Sequence, residues 1–99
     1  MGTYRLTPAA QKDLENIWTH KYKIEGVERA LNHIDSLEAA CSRLCETPRM
    51  CRERTEYRPP VRIFPYRRVL IVYMINEEDI DIIRFLHAGM DVETRLTHK

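Results

Sequence analysis

The sequence lacks two features that would place it in or across a membrane. None of its apolar runs approaches the about 20 residues that a transmembrane helix needs. Its opening has no secretory signal, because Tyr4 and Arg5 begin an alternating pattern at once. We therefore expect a cytoplasmic protein that makes no use of a membrane. Its length predicts one domain over residues 1–99, with a polar tail from about residue 91.

Cysteine is scarce, and the three copies, Cys41, Cys45 and Cys51, form an odd set. Their spacing matches no zinc-binding pattern, and neither His33 nor His87 completes one. Cys41 and Cys45 fall on the apolar stripe of a predicted helix, where a free thiol packs as a small hydrophobic group. The sequence thus predicts structural thiols, with no metal site and no cofactor.

A general excess of positive charge is also missing. The formal net charge is +1 and the pI is about 7.8, whereas non-specific nucleic-acid binders usually have a pI above about 9. Affinity for phosphate alone is therefore not expected to be the function. We expect a specific partner and no direct sequence-specific binding of nucleic acid.

The near-neutral total conceals a stretch between residues 49 and 68 that is rich in arginine and contains no lysine. Seven arginines against Glu53 and Glu56 give this stretch a charge of +5. The arginines are Arg49, Arg52, Arg54, Arg58, Arg62, Arg67 and Arg68. Guanidinium groups present a planar fork to carboxylates and phosphates and are weakly hydrated, so they suit buried contacts. We interpret the stretch as an interaction surface.

The spacing of apolar residues predicts two helices, and strands before and after them. Thr7-Pro8 is a helix-entry signal, Gly26 separates two amphipathic stretches, and Pro48 ends the second. Two helices joined so closely should form an antiparallel hairpin. The strands are predicted over residues 4–7, 61–64, 67–75 and 80–87, with a hairpin loop at 76–79.

The predicted order, β-α-α-β-β-β, describes an α+β fold. The N-terminal helical hairpin packs on one face of a small, mostly antiparallel twisted sheet. The strand at 67–75 is apolar on both faces, as expected of a central strand. Two helices cover only one face of so small a sheet. The second face, with Leu70, Val72 and Met74, is therefore expected to be exposed, or covered by the tail or another chain.

Three segments resemble the ParE toxins of the RelE/ParE superfamily. They are residues 5–18 (RLTPAAQKDLENIW), 61–73 (VRIFPYRRVLIVY) and 80–87 (IDIIRFLH). The resemblance implies a RelE/ParE-like fold and the toxin of a type II toxin–antitoxin system, neutralised in a hetero-oligomer by a cognate antitoxin. ParE-like members are described as poisons of DNA gyrase, and RelE-like members as endonucleases that cut messenger RNA on the ribosome.

The ParE resemblance implies a toxin that inhibits DNA gyrase by protein–protein binding and has no catalytic residue of its own. An antitoxin segment that folds onto the second sheet face would cover its apolar strip and meet the arginines around it. The predicted antitoxin-binding residues are Arg58, Arg62, Arg67, Arg68, Leu70, Val72 and Met74. We expect Arg62→Glu to weaken antitoxin affinity more than Lys12→Glu does, as measured by titration.

The alternative is a RelE-like, ribosome-dependent mRNA endonuclease, with Arg67, Arg68, Arg84 and His87 as candidate catalytic residues. Cleavage through the 2′-hydroxyl needs a base, an acid and cationic stabilisation, and no carboxylate is evident near these residues. Alternation places Arg84 and His87 on opposite faces of a regular strand, so a β-bulge would be needed to bring them together. A degenerate toxin that only binds its antitoxin is a third alternative.

Purely structural roles stay open for the same residues. His87 could be a half-buried residue at the end of a strand. Arg67 and Arg68 could pair with the acidic loop at 77–81 or with the two nearby glutamates, although surface pairs contribute only about 0–1 kcal/mol each. Tyr22 is expected to belong to the core, because it lies beside the apolar stripe of the first helix.

Overall fold

The computed structural model describes residues 2–88, and six elements follow one another there in the predicted order. They are β1 Tyr4–Leu6, α1 Pro8–Glu25, α2 Val27–Glu46, β2 Arg62–Tyr66, β3 Val69–Asn76 and β4 Asp79–His87. The ends of the elements differ from the predicted ones by one or two residues. Within residues 2–88, no helix combines the length and the apolar character needed to cross a membrane. The predicted polar tail lies outside the described residues.

Helix α1 begins where the Thr7-Pro8 signal predicts. The hydroxyl oxygen of Thr7 accepts a hydrogen bond from the backbone N–H of Ala10 at 3.1 Å. The same hydroxyl donates to the backbone carbonyl of Ile83 in β4 at 2.8 Å. The N-cap residue Thr7 therefore begins helix α1 and also ties the helix to the sheet.

Gly26 joins the two helices and explains why the connection is so short. Its φ of 92° and ψ of 172° lie in a region that side chains disfavour. Its backbone N–H donates to the carbonyl of Tyr22 at 2.9 Å, which closes α1. Helix α2 begins at the next residue, so the predicted antiparallel hairpin is confirmed.

The sheet has the strand order β1-β4-β3-β2, with β1 parallel to β4 and the other neighbours antiparallel. Strand β2, which contains Pro65, is an edge strand, as a residue without a backbone N–H predicts. Strand β4 carries a β-bulge, because Tyr73 pairs with Ile82 whereas Val72 pairs with Arg84. Ile83 is the additional residue at this point.

The main core lies between the helical hairpin and one face of the sheet. Tyr73, at the centre of it, has no exposed surface, and its hydroxyl donates to the carbonyl of Pro48 at 2.7 Å. Burial raises the pKa of this hydroxyl above its usual value. The buried members are Ala10, Leu37, Ala40, Cys41, Leu44, Val69, Ile71, Tyr73, Ile80, Ile82 and Phe85.

The second face of the sheet is covered by the chain itself. Tyr57 and Val61, from the segment between α2 and β2, pack there against Val72 and Leu86. Val72 has no exposed surface, so the prediction of an open face is wrong for this residue. The reason is that part of the arginine-rich stretch folds back across the sheet. Four residues around this second core are only partly buried: Ile63, Leu70, Met74 and Ile83.

Candidate functional site

The arginine-rich stretch is divided between the two ends of the sheet. Arg62 begins β2, whereas Arg67 and Arg68 form the turn after it. With a rise of about 3.3 Å per residue, Arg62 and Arg67 lie about 16 Å apart along the strand. The predicted rim of arginines is therefore two separate groups, with Arg58 and Arg62 at one end and Arg67 and Arg68 at the other.

Arg62 is held by an intramolecular contact. It stands opposite Tyr73 in the β2–β3 ladder, so its side chain leaves the sheet on the face that carries the helices. Its Nη1 donates to the backbone carbonyl of Cys51, and the side chain is partly buried. Arg62 thus anchors the loop that follows α2, and it also lines a groove of about 310 Å³ with Val61 and Met74 at the margin of the second sheet face.

Arg54 also has a structural partner. Its Nε donates to Oε2 of Glu56 at 2.8 Å, and its guanidinium lies 5.8 Å from the centroid of the Tyr57 ring. The hydrogen bond from Arg54 is the main reason that the pKa of Glu56 is lowered. This pair positions Tyr57, which covers the second face of the sheet.

The other five arginines of the stretch are exposed and make no ion pair with any residue between 2 and 88. They are Arg49, Arg52, Arg58, Arg67 and Arg68. Two acids of the β3–β4 hairpin, Asp79 and Asp81, have other partners. Asp81 accepts from Nε of Arg5 at 3.2 Å, and Asp79 accepts from the backbone N–H of Thr3 at 2.9 Å. Pairing of Arg67 and Arg68 with the acidic loop is therefore not seen.

The turn between β2 and β3 presents two guanidinium groups at one end of the sheet. Arg67 has a positive φ of 55°, and its guanidinium lies 5.4 Å from the centroid of the Tyr66 ring. The carbonyl of Arg68 accepts a hydrogen bond from the N–H of Ala88 at 2.8 Å. The turn faces His33 of α2, because Arg67 and His33 line the same groove. Burial lowers the pKa of this imidazole, and the positive charges of Lys21 and Arg67 lower it further.

A cleft of about 460 Å³ lies beside this turn, between the helical hairpin and the end of the sheet. Its floor is apolar, and its rim is polar and mostly basic. The lining residues are Asn16, Ile17, His20, Lys21, Ile24, Glu25, His33, Arg68, Val69 and His87. His87 is exposed at the end of β4, and not half-buried as its structural role predicted.

Only two of the four candidate catalytic residues are brought together. Arg68 and His87 line the cleft, but Arg67 lies in a neighbouring groove with Lys21 and His33. Arg84 does not line this cleft, because its guanidinium is bound by Asp13 of α1. The bulge exists, but it does not assemble the predicted nuclease site.

Arg84 is engaged by a carboxylate that sequence reasoning missed. Its Nε and Nη2 donate to the two carboxylate oxygens of Asp13 at 2.6 and 2.9 Å, and the N–H of Phe85 donates to the same group at 3.0 Å. These bonds raise the pKa of Arg84. The sequence does contain a sign of this contact. Asp13 lies on the apolar stripe of α1, between Ala10 and Ile17, and an acid at such a position requires a partner.

The cysteines pack in the core as predicted. All three thiols are free, Cys41 is buried, and Cys45 and Cys51 pack against the same core. Burial, followed by the influence of Cys45 and Glu38, raises the pKa of Cys41 to about 12. Among the residues that the structure describes, no group of three or more His, Cys, Asp or Glu side chains is placed to hold a metal ion.

A family model and the similar proteins found by comparison all indicate the same family. The family model described as "ParE toxin of type II toxin-antitoxin system, parDE" matches residues 4–92. Toxin ParE1 of Mycobacterium tuberculosis is 37% identical over 94 residues, which cover 94% of this chain and 96% of that toxin. Toxin ParE3 of Caulobacter vibrioides is 29% identical over 99 residues, or 100% of this chain and 99% of that one.

A solved structure of the chromosomal ParDE TA system from P. aeruginosa has the same fold. Its matching chain superimposes with a TM-score of 0.76 and is 21% identical, and the match covers 90% of this chain and 97% of that chain. The predicted fold class, a helical hairpin on a mostly antiparallel sheet, is therefore confirmed.

Proposed function

The chain belongs to the ParE toxin family of type II toxin–antitoxin systems, and from this membership we propose that it inhibits DNA gyrase by binding, without a catalytic site of its own. The observation that supports binding over catalysis is the separation of the candidate catalytic residues. Arg84 is held by Asp13, and Arg67 lies apart from the cleft that Arg68 and His87 share. The toxin would act in the cytoplasm and hold the gyrase–DNA complex in its cleaved state, so that strand breaks persist.

The antitoxin, in this proposal, covers the partly buried side chains on the second sheet face. Leu70 and Met74 flank the small core under Tyr57, and an apolar antitoxin segment would complete their burial. Val72 supports this surface from below and makes no direct contact, because it has no exposed area. Acidic antitoxin residues would meet the exposed arginines at the two ends of the sheet.

The arginines differ in what they can offer the antitoxin. Arg58, Arg67 and Arg68 are exposed, whereas Arg62 is tied to the carbonyl of Cys51. We therefore expect Arg62→Glu to weaken antitoxin binding indirectly, through movement of the loop between α2 and β2. Lys12→Glu, on an exposed position of α1, should have the smaller effect. Equal effects in a titration would remove Arg62 and its loop from the interface.

The gyrase mechanism is tested by adding the purified chain to a gyrase supercoiling and DNA-cleavage assay. At micromolar toxin we expect loss of supercoiling and accumulation of cleaved DNA, because a bound toxin holds the cleaved complex. Prior incubation with the antitoxin should restore supercoiling. Unchanged supercoiling and no trapped cleavage product would contradict the proposal.

One observation favours the alternative function, the ribosome-dependent mRNA endonuclease. Arg68 and His87 line the same cleft, and an imidazole beside a guanidinium could serve two of the roles that RNA cleavage needs. The carboxylate that lines this cleft, Glu25, is paired with Lys21 and Arg29. Asp13 is bound by Arg84 and Phe85. We therefore rank this function second.

A further inference from the structure

A cluster of exposed apolar side chains lies at the tip of the helical hairpin. Five large apolar residues within 2–88 are exposed, and four of them fall around Gly26 between residues 22 and 31. These four are Tyr22, Ile24, Val27 and Leu31, with exposed fractions of 47%, 65%, 53% and 51%. Tyr22 stacks on Trp18, with ring centroids 5.1 Å apart. Because 47% of Tyr22 is exposed, its prediction as a core residue is wrong. Tyr22 and Ile24 point to different sides of α1, since residues two apart on a helix differ by about 200°. Exposed apolar side chains gathered at one end of a molecule can mark a contact site.

The tip continues into the cleft beside the β2–β3 turn. Ile24 belongs to both, because it is exposed at the tip and also lines the cleft with Ile17 and Val69. These aliphatic groups form a floor that an apolar side chain from a partner could fill. We call the tip, the cleft and the β2–β3 turn (Arg67 and Arg68) the hairpin-tip surface.

The charges around the hairpin-tip surface are unequal. Glu25 is shared between Lys21 and Arg29, and the Nη1–Oε1 distance to Arg29 is 3.5 Å. The hydrogen bond from Lys21 is the main reason that the pKa of Glu25 is lowered. Arg67 and Arg68 make no ion pair with any part of the chain that the structure describes. The surface therefore suits a partner that supplies carboxylates.

We propose that the hairpin-tip surface is where this toxin docks onto its protein target, through an acidic segment that inserts an apolar side chain. This inference rests on the proposed function, since it assigns the surface that contacts gyrase. The apolar side chain would occupy the floor at Ile24, and neighbouring carboxylates would pair with Arg67 and Arg68. Arginine is among the residues enriched in binding hot spots, which cluster in well-packed, desolvated pockets.

Other occupants fit the surface less well. A nucleic-acid backbone would leave the apolar floor uncovered, and a second copy of the chain would bring arginines against arginines. The antitoxin is proposed to lie on the opposite face of the sheet, but the turn with Arg67 and Arg68 borders both surfaces. An antitoxin that reaches this turn would exclude the target, which gives neutralisation a physical basis.

The test compares two variants of the hairpin-tip surface with two matched controls. Ile24→Asp is paired with Met50→Asp, because Met50 is exposed by 58% and is the large apolar residue outside the tip. The double variant Arg67→Glu/Arg68→Glu is paired with Arg49→Glu/Arg52→Glu. This control makes the same charge change at two other exposed arginines that form no ion pair within residues 2–88. Circular dichroism and thermal melts verify that all four variants fold.

The readout is the toxin concentration that halves gyrase supercoiling. Loss of a central interface contact typically costs at least about tenfold in affinity, so we expect each hairpin-tip variant to raise this concentration by at least about tenfold and each control by less than about twofold. Ile24→Asp should leave antitoxin affinity unchanged. Equal effects of the hairpin-tip variants and their controls would overturn the inference.

Growth arrest in cells that express each variant without antitoxin separates this inference from the proposed function. If the unaltered toxin arrests growth but leaves gyrase untouched, the gyrase proposal fails. Loss of arrest in the hairpin-tip variants alone would then still support a target-docking surface. If gyrase is inhibited and all four variants arrest growth as the unaltered toxin does, the docking inference fails and the gyrase proposal stands.

Discussion

At the scale of single residues, Asp13 connects three parts of the molecule. It lies in α1, binds the guanidinium of Arg84 with both oxygens, and accepts the N–H of Phe85 just beyond the β-bulge. Its side chain is 13% exposed and that of Arg84 is 25% exposed, so water replaces these bonds poorly. The pair fixes the end of β4 that carries His87.

Asp13→Ala should therefore destabilise the fold. It leaves a partly buried guanidinium and a backbone N–H without their acceptor, and hydrogen bonds to charged groups contribute about 1.5–3 kcal/mol. We expect the free energy of unfolding in urea to fall by about 2–3 kcal/mol, within that range. The matched control is Asp35→Ala, at an exposed position of α2. A loss of unfolding free energy no larger than that caused by Asp35→Ala would contradict this structural role of Asp13.

His33 reports on the electrostatics of the hairpin-tip surface. Burial, and then the positive charges of Lys21 and Arg67, lower its pKa below the ordinary value of 6.5. Between the lowered value and 6.5 the unfolded chain binds more protons, so this group's contribution to stability is lost as the pH falls below 6.5. An NMR titration of the imidazole should give a midpoint below 6.5, and Arg67→Glu should raise it. A midpoint at or above 6.5 in the unaltered chain would be inconsistent with the packing described.

At the scale of elements, local signals decided what could be predicted. Thr7 and Gly26 each act through their own backbone or the nearest turn, and the helix start and the hairpin were predicted from them correctly. The cover that Tyr57 forms over the second face depends on contacts between residues distant in sequence. The alternation of side chains along a strand showed that a bulge was needed in β4 to bring Arg84 and His87 together. It could not show that the bulge would fall at Ile83, before Arg84.

Gly26→Ala tests the short connection between the helices. No atom lies within 4 Å of the position a Cβ would take, so the cost is purely conformational. Side chains rarely adopt the backbone angles found here, and such strain costs about 1–3 kcal/mol. We expect urea unfolding to show a loss of this size, whereas Gln11→Ala, on an exposed part of α1, should change stability little. Equal stabilities would show that the hairpin does not need this glycine.

At the scale of the whole molecule, the distribution of charge matters more than its total. The sequence shows an excess of arginine between residues 49 and 68, but not that these arginines are divided between two ends of the sheet. Nor could it show that Arg54 and Arg62 hold a loop while Arg67 and Arg68 face outward. The segment after α2 was expected to be a surface, and it also closes the second core. The sequence thus predicted the fold well and the candidate site only in part.

In the proposed function, this toxin stops DNA metabolism by binding gyrase and does not cut messenger RNA. The most direct measurement is the rate of DNA and protein synthesis, followed by pulse labelling after the chain is expressed without antitoxin. We expect DNA synthesis to fall first while translation continues. Early loss of protein synthesis with DNA synthesis intact would contradict it.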